Sequence, residues 1–132
     1  MVPDPSESAS HVVVVAANTE TMQALREYLK GAGVASRTTP ELMNTSLAAR
    51  STRAIVIFPD EFEADEVVNR VSSLRAARPQ LLLVLITGTP ARYRAALEPE
   101  VGSVPPVVLP KPAFGWSIVD VVRAQLVRAD DA

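Results

Sequence analysis

The chain has 132 residues, a length typical of one domain, and 48% of them are hydrophobic, which is enough for a full core. Its 13 basic and 15 acidic residues leave a net charge of −2, which argues against a general nucleic-acid-binding surface. The absence of cysteine excludes disulfides and thiolate metal sites, and the single histidine, His11, disfavours a histidine-ligated metal or a Ser/His catalytic pair.

The first ten residues are rich in proline, serine and acidic residues, and we predict that residues 1–10 form a disordered lead-in. They lack the basic start and apolar stretch of a secretory signal. No apolar run approaches the ~20 residues that a membrane span requires. We therefore expect a cytoplasmic domain over residues 11–128, without membrane or nucleic-acid contacts.

The first half of the chain alternates between strand and helix patterns. Four consecutive valines in HVVVVAA predict a buried strand, and NTETMQALREYLKGAG follows with apolar residues at helical spacing. Asn18 or Thr19 is expected to cap this helix, and Gly31 or Gly33 to end it. VASRTT predicts a weaker second strand. PELMNTSLAARS predicts a short helix that begins at Pro40.

The second half continues the alternation. RAIVIF, LLLVLIT and VVLP predict the third, fourth and fifth strands. Helices are predicted for ADEVVNRVSSLRAAR, PARYRAALE and GWSIVDVVRAQLVRA, while the prolines of PEVGSVPP predict a loop.

Five strands that alternate with five helices, with strands that read as continuous apolar runs, indicate an α/β fold with a parallel sheet covered on both faces. Right-handed crossovers leave few topologies for such a chain. We predict a single flavodoxin-like domain with a five-stranded parallel sheet in the order 2-1-3-4-5.

Over roughly residues 11–127 the sequence resembles the receiver domains of two-component response regulators. Three stretches carry the resemblance: VVVVAANTETMQALREYLKGAGV for the first strand and helix, LLLVLITG for the fourth strand, and LPKP for the exit of the fifth. In the family the fourth strand ends in Ser or Thr, here Thr87. A lysine then precedes a cis-proline, here Lys111 and Pro112.

The resemblance also identifies what is missing. Receivers carry two metal-binding acids after the first strand and an acceptor aspartate at the end of the third, and these positions fall on Ala16, Ala17 and Pro59. A methyl group cannot ligate Mg²⁺, and a pyrrolidine ring offers no nucleophile. Of the pocket, only Thr87 and Lys111 survive. We therefore predict a degenerate pseudo-receiver, with no catalytic residue, metal or cofactor.

Asp60 is the alternative acceptor, because a one-residue bulge could bring it to the position of Pro59. Adjacent strand residues point to opposite faces, however, and Asp60 would lack metal-binding partners. The sequence instead favours a solvated acidic run at a helix N-terminus, where negative charge suits the helix dipole. This run comprises Asp60, Glu61, Glu63, Asp65 and Glu66.

The surviving Lys111 is expected to point to solvent or to pair with Asp60 or Glu61. A further hypothesis is that Thr87, Lys111 and nearby backbone amides hold a small anion. With no phosphoryl group to favour an active state, the domain is expected to hold one conformation unless a partner changes it.

We predict that the chain is a phosphorylation-independent signalling or scaffolding domain, not an enzyme, that binds a protein partner. Two alternatives stay open: a phosphorylatable receiver with a displaced acceptor at Asp60, and a flavodoxin-like small-ligand binder. The second is disfavoured because AANTET, after the first strand, has no phosphate-binding glycine.

The predicted partner surface includes Tyr93, Val108 and Trp116, since tryptophan is common among interface hot spots. Val108 occupies the position of the family's switch aromatic, so the usual aromatic switch is not expected. The family resemblance also implies a possible homodimer through the fourth helix, the fifth strand and the fifth helix.

Overall fold

The structure is a computed structural model that describes residues 12–42, 52–98, 101–111 and 115–131, with side chains in the last helix described for residues 117–125. The predicted lead-in, most of the predicted second helix and Pro112 lie outside the described residues.

The described elements follow the predicted order. The strands are β1 (Val12–Val15), β2 (Ser36–Thr39), β3 (Ala54–Ile57), β4 (Leu82–Ile86) and β5 (Val107–Leu109). The α-helices are α1 (Thr19–Gly31), α2 (Ala64–Ala77) and α3 (Gly115–Asp131), and two 3₁₀ helices are η1 (Pro59–Glu61) and η2 (Pro90–Ala96). No described helix is both long and apolar enough to cross a membrane.

The five strands form one parallel sheet in the order β2-β1-β3-β4-β5, as predicted. The register brings the carboxyl ends of the central strands side by side: Val15, the last residue of β1, lies beside Ile57, the last of β3, and Ile57 lies beside Leu85, one residue before the end of β4. The carboxyl ends of β1, β3, β4 and β5 therefore meet at one edge of the sheet. In open α/β folds this edge is where functional side chains collect.

Strand side chains alternate between two apolar cores because the sheet is covered on both faces. One face packs against α1 and α3, and the other against α2 and η2. β1, β3 and β4 are buried along their full length, which explains why their sequences are continuous apolar runs without polar alternation. Burying one such side chain contributes about 1.5–3 kcal/mol.

The first helix begins and ends at predicted signals. Asn18 is the N-cap, and its Oδ1 accepts a hydrogen bond from the backbone N–H of Thr21 at 3.0 Å. After the helix, Gly33 adopts a left-handed φ of 81°, a conformation that costs a residue with a Cβ more than it costs glycine. The backbone N–H of Val34 then donates to the carbonyl of Leu29 at 2.9 Å, which satisfies one of the helix's last carbonyls.

Two segments differ from the predictions. The stretch PARYRAALE forms the 3₁₀ helix η2 instead of an α-helix, with i→i+3 hydrogen bonds from Arg92 to Thr89 and from Leu97 to Arg94. The stretch after β3 forms η1, a short turn that the sequence analysis did not predict. Proline suits the first position of this turn because its ring fixes φ at a helical value. Its missing backbone N–H is not a loss there, since the first N–H groups of a helix have no partner within the helix.

Candidate functional site

The sheet edge brings together all five positions that the sequence analysis assigned to the degenerate pocket. Ala16 directly follows β1 and is fully buried, whereas Ala17 is exposed. Pro59 is buried at the start of η1, Thr87 follows β4 with 1% of its surface exposed, and Lys111 follows β5. None of the first three supplies a side-chain oxygen or nitrogen.

η1 brings Asp60 into this edge. The backbone N–H of Phe58 still pairs with the carbonyl of Val15, as in a continuing sheet, but the chain then turns, and the N–H of Phe62 donates to the carbonyl of Pro59 at 3.0 Å. Because β3 ends at Ile57, the strict alternation of strand faces no longer applies two residues later. The turn aims the Asp60 carboxylate at the residues that follow β4.

The Asp60 carboxylate accepts hydrogen bonds from several donors at this edge. Its Oδ1 accepts from the Thr87 hydroxyl at 2.6 Å and from the Tyr93 hydroxyl at 2.8 Å, with a longer contact of 3.3 Å from the Thr89 hydroxyl. Its Oδ2 accepts from the backbone N–H of Gly88 at 3.0 Å and lies 3.6 Å from the Lys111 ammonium. Both oxygens are therefore engaged.

These contacts shift two ionisation equilibria. Partial burial alone would raise the pKa of Asp60, but hydrogen bonds from Thr87, Gly88 and Tyr93, with the charge of Lys111, lower it from 3.8 to about 2. Burial and the hydrogen bond and charge of Asp60 raise the pKa of Tyr93 to about 12. At neutral pH the pair is therefore a carboxylate that accepts from a neutral phenol.

The predicted solvated acidic run is wrong for Asp60. The side chain is 22% exposed, and its carboxylate accepts hydrogen bonds from Thr87, Gly88 and Tyr93. Glu61 is partly buried, and its Oε1 accepts from the backbone N–H of Asn18 at 2.7 Å. The remaining acids behave as predicted: Glu63 is the N-cap residue of α2, and Asp65 and Glu66 lie exposed in its first turn.

Of the two arrangements expected for Lys111, the structure shows the ion pair with Asp60. The donors that were predicted to hold a small anion, Thr87, Lys111 and a nearby backbone amide, are engaged by the same carboxylate. Within the described ranges, no three His, Cys, Asp or Glu side chains are grouped closely enough to hold a metal ion.

The prediction that Tyr93 belongs to a partner surface is wrong. Tyr93 has 0% of its surface exposed, because η2 lays its ring in the core cluster that includes Leu85 and directs its hydroxyl at Asp60. Val108 is partly buried on β5, one of the two edge strands of the described sheet. Trp116 lies in α3, but its side chain is outside the described set.

Solved receiver domains resemble this chain over most of its length. The signal receiver domain of an HD domain-containing protein from Pseudomonas fluorescens Pf-5 matches with a TM-score of 0.71 and 15% identity, over 94% of this chain and 91% of that one. A CheY-like response regulator receiver domain protein from Methanospirillum hungatei JF-1 matches with a TM-score of 0.69 and 13% identity, over 92% and 97%. The chain has the receiver fold.

A putative pilus assembly-related protein from Burkholderia pseudomallei K96243 is also similar, with a TM-score of 0.66 and 15% identity over 89% of this chain and 90% of that one. By sequence, the chain matches no protein-family model and no curated protein. These structural similarities confirm the predicted flavodoxin-like topology and the resemblance to receivers at the level of the fold.

Proposed function

We propose that this chain is a pseudo-receiver, a signalling or scaffolding domain that acts by protein–protein interaction and does not depend on aspartyl phosphorylation. One observation carries the proposal: Ala16, Ala17 and Pro59 stand at the ends of β1 and β3, where a phosphorylatable receiver holds its three carboxylates. The reacting atoms themselves are missing, so no change in their surroundings would restore the chemistry.

Phosphoryl transfer needs an in-line nucleophile and a metal ion that neutralises the developing charge. Mg²⁺ prefers several oxygen ligands in near-octahedral geometry. At this edge the two nearest carboxylates, Asp60 and Glu61, already accept hydrogen bonds from Thr87 and Asn18 respectively. The described residues therefore supply neither a free acceptor nor an acidic cluster for the metal.

A second candidate function is a receiver with a displaced acceptor. Asp60 favours it, since its carboxylate lies beside Thr87 and Lys111, the two pocket positions that survive. Against it, a carboxylate with a pKa of about 2 whose two oxygens both accept hydrogen bonds is a weak nucleophile. The interaction domain is therefore the better supported proposal.

The proposed partner is a protein, and the face formed by η2, β5 and α3 is the proposed contact surface. Arg92 and Arg94 are exposed on η2, on either side of the buried Tyr93, and replace it as the candidate contact residues. Val108 on the edge strand would extend this face. A second copy of the chain is a candidate occupant of this face.

Incubation with acetyl phosphate, or with beryllofluoride, in the presence of Mg²⁺ tests the proposal directly. We expect the intact mass and the amide NMR spectrum of the chain to stay unchanged. A stoichiometric adduct would overturn the proposal, and its loss in Asp60→Asn would establish the displaced acceptor instead. The molar mass in solution tests the proposed dimer face in a separate experiment. It is measured for the charge reversal Arg94→Glu and for the matched control Arg26→Glu on α1.

A further inference from the structure

Three separate segments of the chain meet at one carboxylate. Asp60 accepts hydrogen bonds from the loop after β4 through Thr87 and Gly88, and from η2 through Tyr93, and it pairs with Lys111 after β5. We propose that Asp60 is an internal anionic ligand that clamps the loop after β4 and η2 in one arrangement in the free chain.

The buried donors at this site need a hydrogen-bond acceptor. Thr87 and Tyr93 are at least 99% buried, so bulk water does not reach their hydroxyls freely. A buried donor left without a partner costs about 1–3 kcal/mol. Asp60 satisfies both hydroxyls with a single oxygen, and its second oxygen takes the Gly88 amide. The site is thus built for an anion, and the chain supplies that anion itself.

The charge state of the clamp is constant near neutral pH. With its pKa lowered to about 2, Asp60 stays ionised, and with its pKa raised to about 12, Tyr93 stays a donor. Of the described charged groups, Lys111 after β5 acts on Asp60 and Arg92 on η2 acts on Tyr93. The clamp is therefore a fixed structural constraint and not a pH switch in this range.

The clamp acts on a helix that is also fixed at its far end. The buried Arg75 of α2 donates through Nη1 to the carbonyl of Ala96 at 3.0 Å and to that of Glu98 at 2.8 Å. η2 is thereby held at its C-terminal end by Arg75 and in its middle by Tyr93 on Asp60. Loss of the carboxylate would free the N-terminal part of η2 and residues 87–89, while the Arg75 contacts persist.

This inference goes beyond the proposed function, because it concerns what sets the conformation of η2 and not what binds to it. Both readouts below are independent of a partner and of phosphoryl chemistry. A negative result in the clamp test would therefore not change the conclusion from the acetyl phosphate test. An adduct in the acetyl phosphate test would likewise not show by itself whether Asp60 holds η2 in place.

The test uses the Tyr28→Phe chain, in which Tyr93 is the remaining one of the two tyrosines. Ultraviolet absorbance of the tyrosinate reports the pKa of Tyr93, and hydrogen exchange at neutral pH reports the Gly88 amide. In Asp60→Asn we expect the pKa of Tyr93 to fall by about one unit, and the Gly88 amide to exchange about tenfold faster. Asp120→Asn, which removes an exposed charge from α3, should change neither value.

An unchanged pKa of Tyr93, or an unchanged exchange rate at Gly88, would overturn the clamp. Tyr93→Phe tests it again without altering Asp60, in case the asparagine variant does not fold. Removal of that hydroxyl should raise the pKa of Asp60, measured by NMR titration of its carboxyl carbon. A pKa that stays at about 2 in Tyr93→Phe would contradict the clamp in the same way.

Discussion

The stability of the chain should depend on the charge of Asp60, and Asp60→Asn measures that dependence. The contacts of Asp60 lower its pKa from 3.8 to about 2, and each pKa unit corresponds to ~1.36 kcal/mol. The folded state therefore stabilises the ionised form by about 2.4 kcal/mol relative to the unfolded chain. Because the side chain is 22% exposed, solvent screens part of this interaction, and we expect a loss of about 2 kcal/mol in Asp60→Asn at neutral pH.

The sign of the pH dependence follows from the direction of the shift. A carboxyl group whose pKa is lower in the folded state stabilises the fold above its unfolded pKa. That contribution disappears as pH falls from about 4 through about 2. Asparagine does not titrate, so the difference in unfolding free energy between the two proteins should shrink by about 1 kcal/mol by pH 3 and by about 2 kcal/mol by pH 2.

Urea unfolding followed by circular dichroism at several pH values measures this difference. Asp120→Asn is the matched control, because it removes one exposed carboxylate from α3 and should leave the unfolding free energy within about 0.5 kcal/mol of the parent. A gap between parent and Asp60→Asn that does not change with pH would refute the reasoning. It would show that the hydrogen bonds to Asp60 do not stabilise its ionised form more than its neutral form.

Three further substitutions test the site and its supports by the same unfolding measurement. Thr87→Val removes the 2.6 Å hydrogen bond to Asp60 and should cost about 2 kcal/mol, with a higher pKa for Asp60. Lys111→Gln should cost less than about 1 kcal/mol, because the ammonium lies 3.6 Å from Asp60 and its side chain is 36% exposed. Asn18→Ala removes the cap on Thr21 and should cost about 1 kcal/mol, and a neutral result would contradict the capping role.

The sheet could be predicted because its signals lie within single elements. β1, β3 and β4 are buried on both faces, so their sequences read as unbroken apolar runs. The helices between them impose parallel pairing and right-handed crossovers, which leave few strand orders. Asn18 and Gly33 fixed the ends of α1 for the same local reasons.

The site could be predicted only in part, because it depends on where β3 stops. The strand ends at Ile57, and η1 begins at Pro59, so the alternation rule that placed Asp60 outside the pocket was applied beyond the strand. Proline followed by two acids is itself a signal for a helical first turn. A similar signal existed for Tyr93, since Tyr93 and Ala96 are three residues apart and share the buried face of η2.

Two features of this edge are physically connected: the missing acids at Ala16 and Ala17, and the Asp60 carboxylate that lies among the donors. Ala16 and Ala17 supply no carboxylate at the end of β1, so without Asp60 the Lys111 ammonium would lie near a set of donors with no counter-charge. Asp60 supplies that counter-charge from within the chain, and its lowered pKa shows that the donors favour the ionised carboxylate over the neutral acid. A pocket whose donors are already satisfied by a covalently attached anion gains little from an external one, because the incoming group must first displace Asp60. The same geometry that stabilises this edge would therefore disfavour its modification, which agrees with the proposed pseudo-receiver.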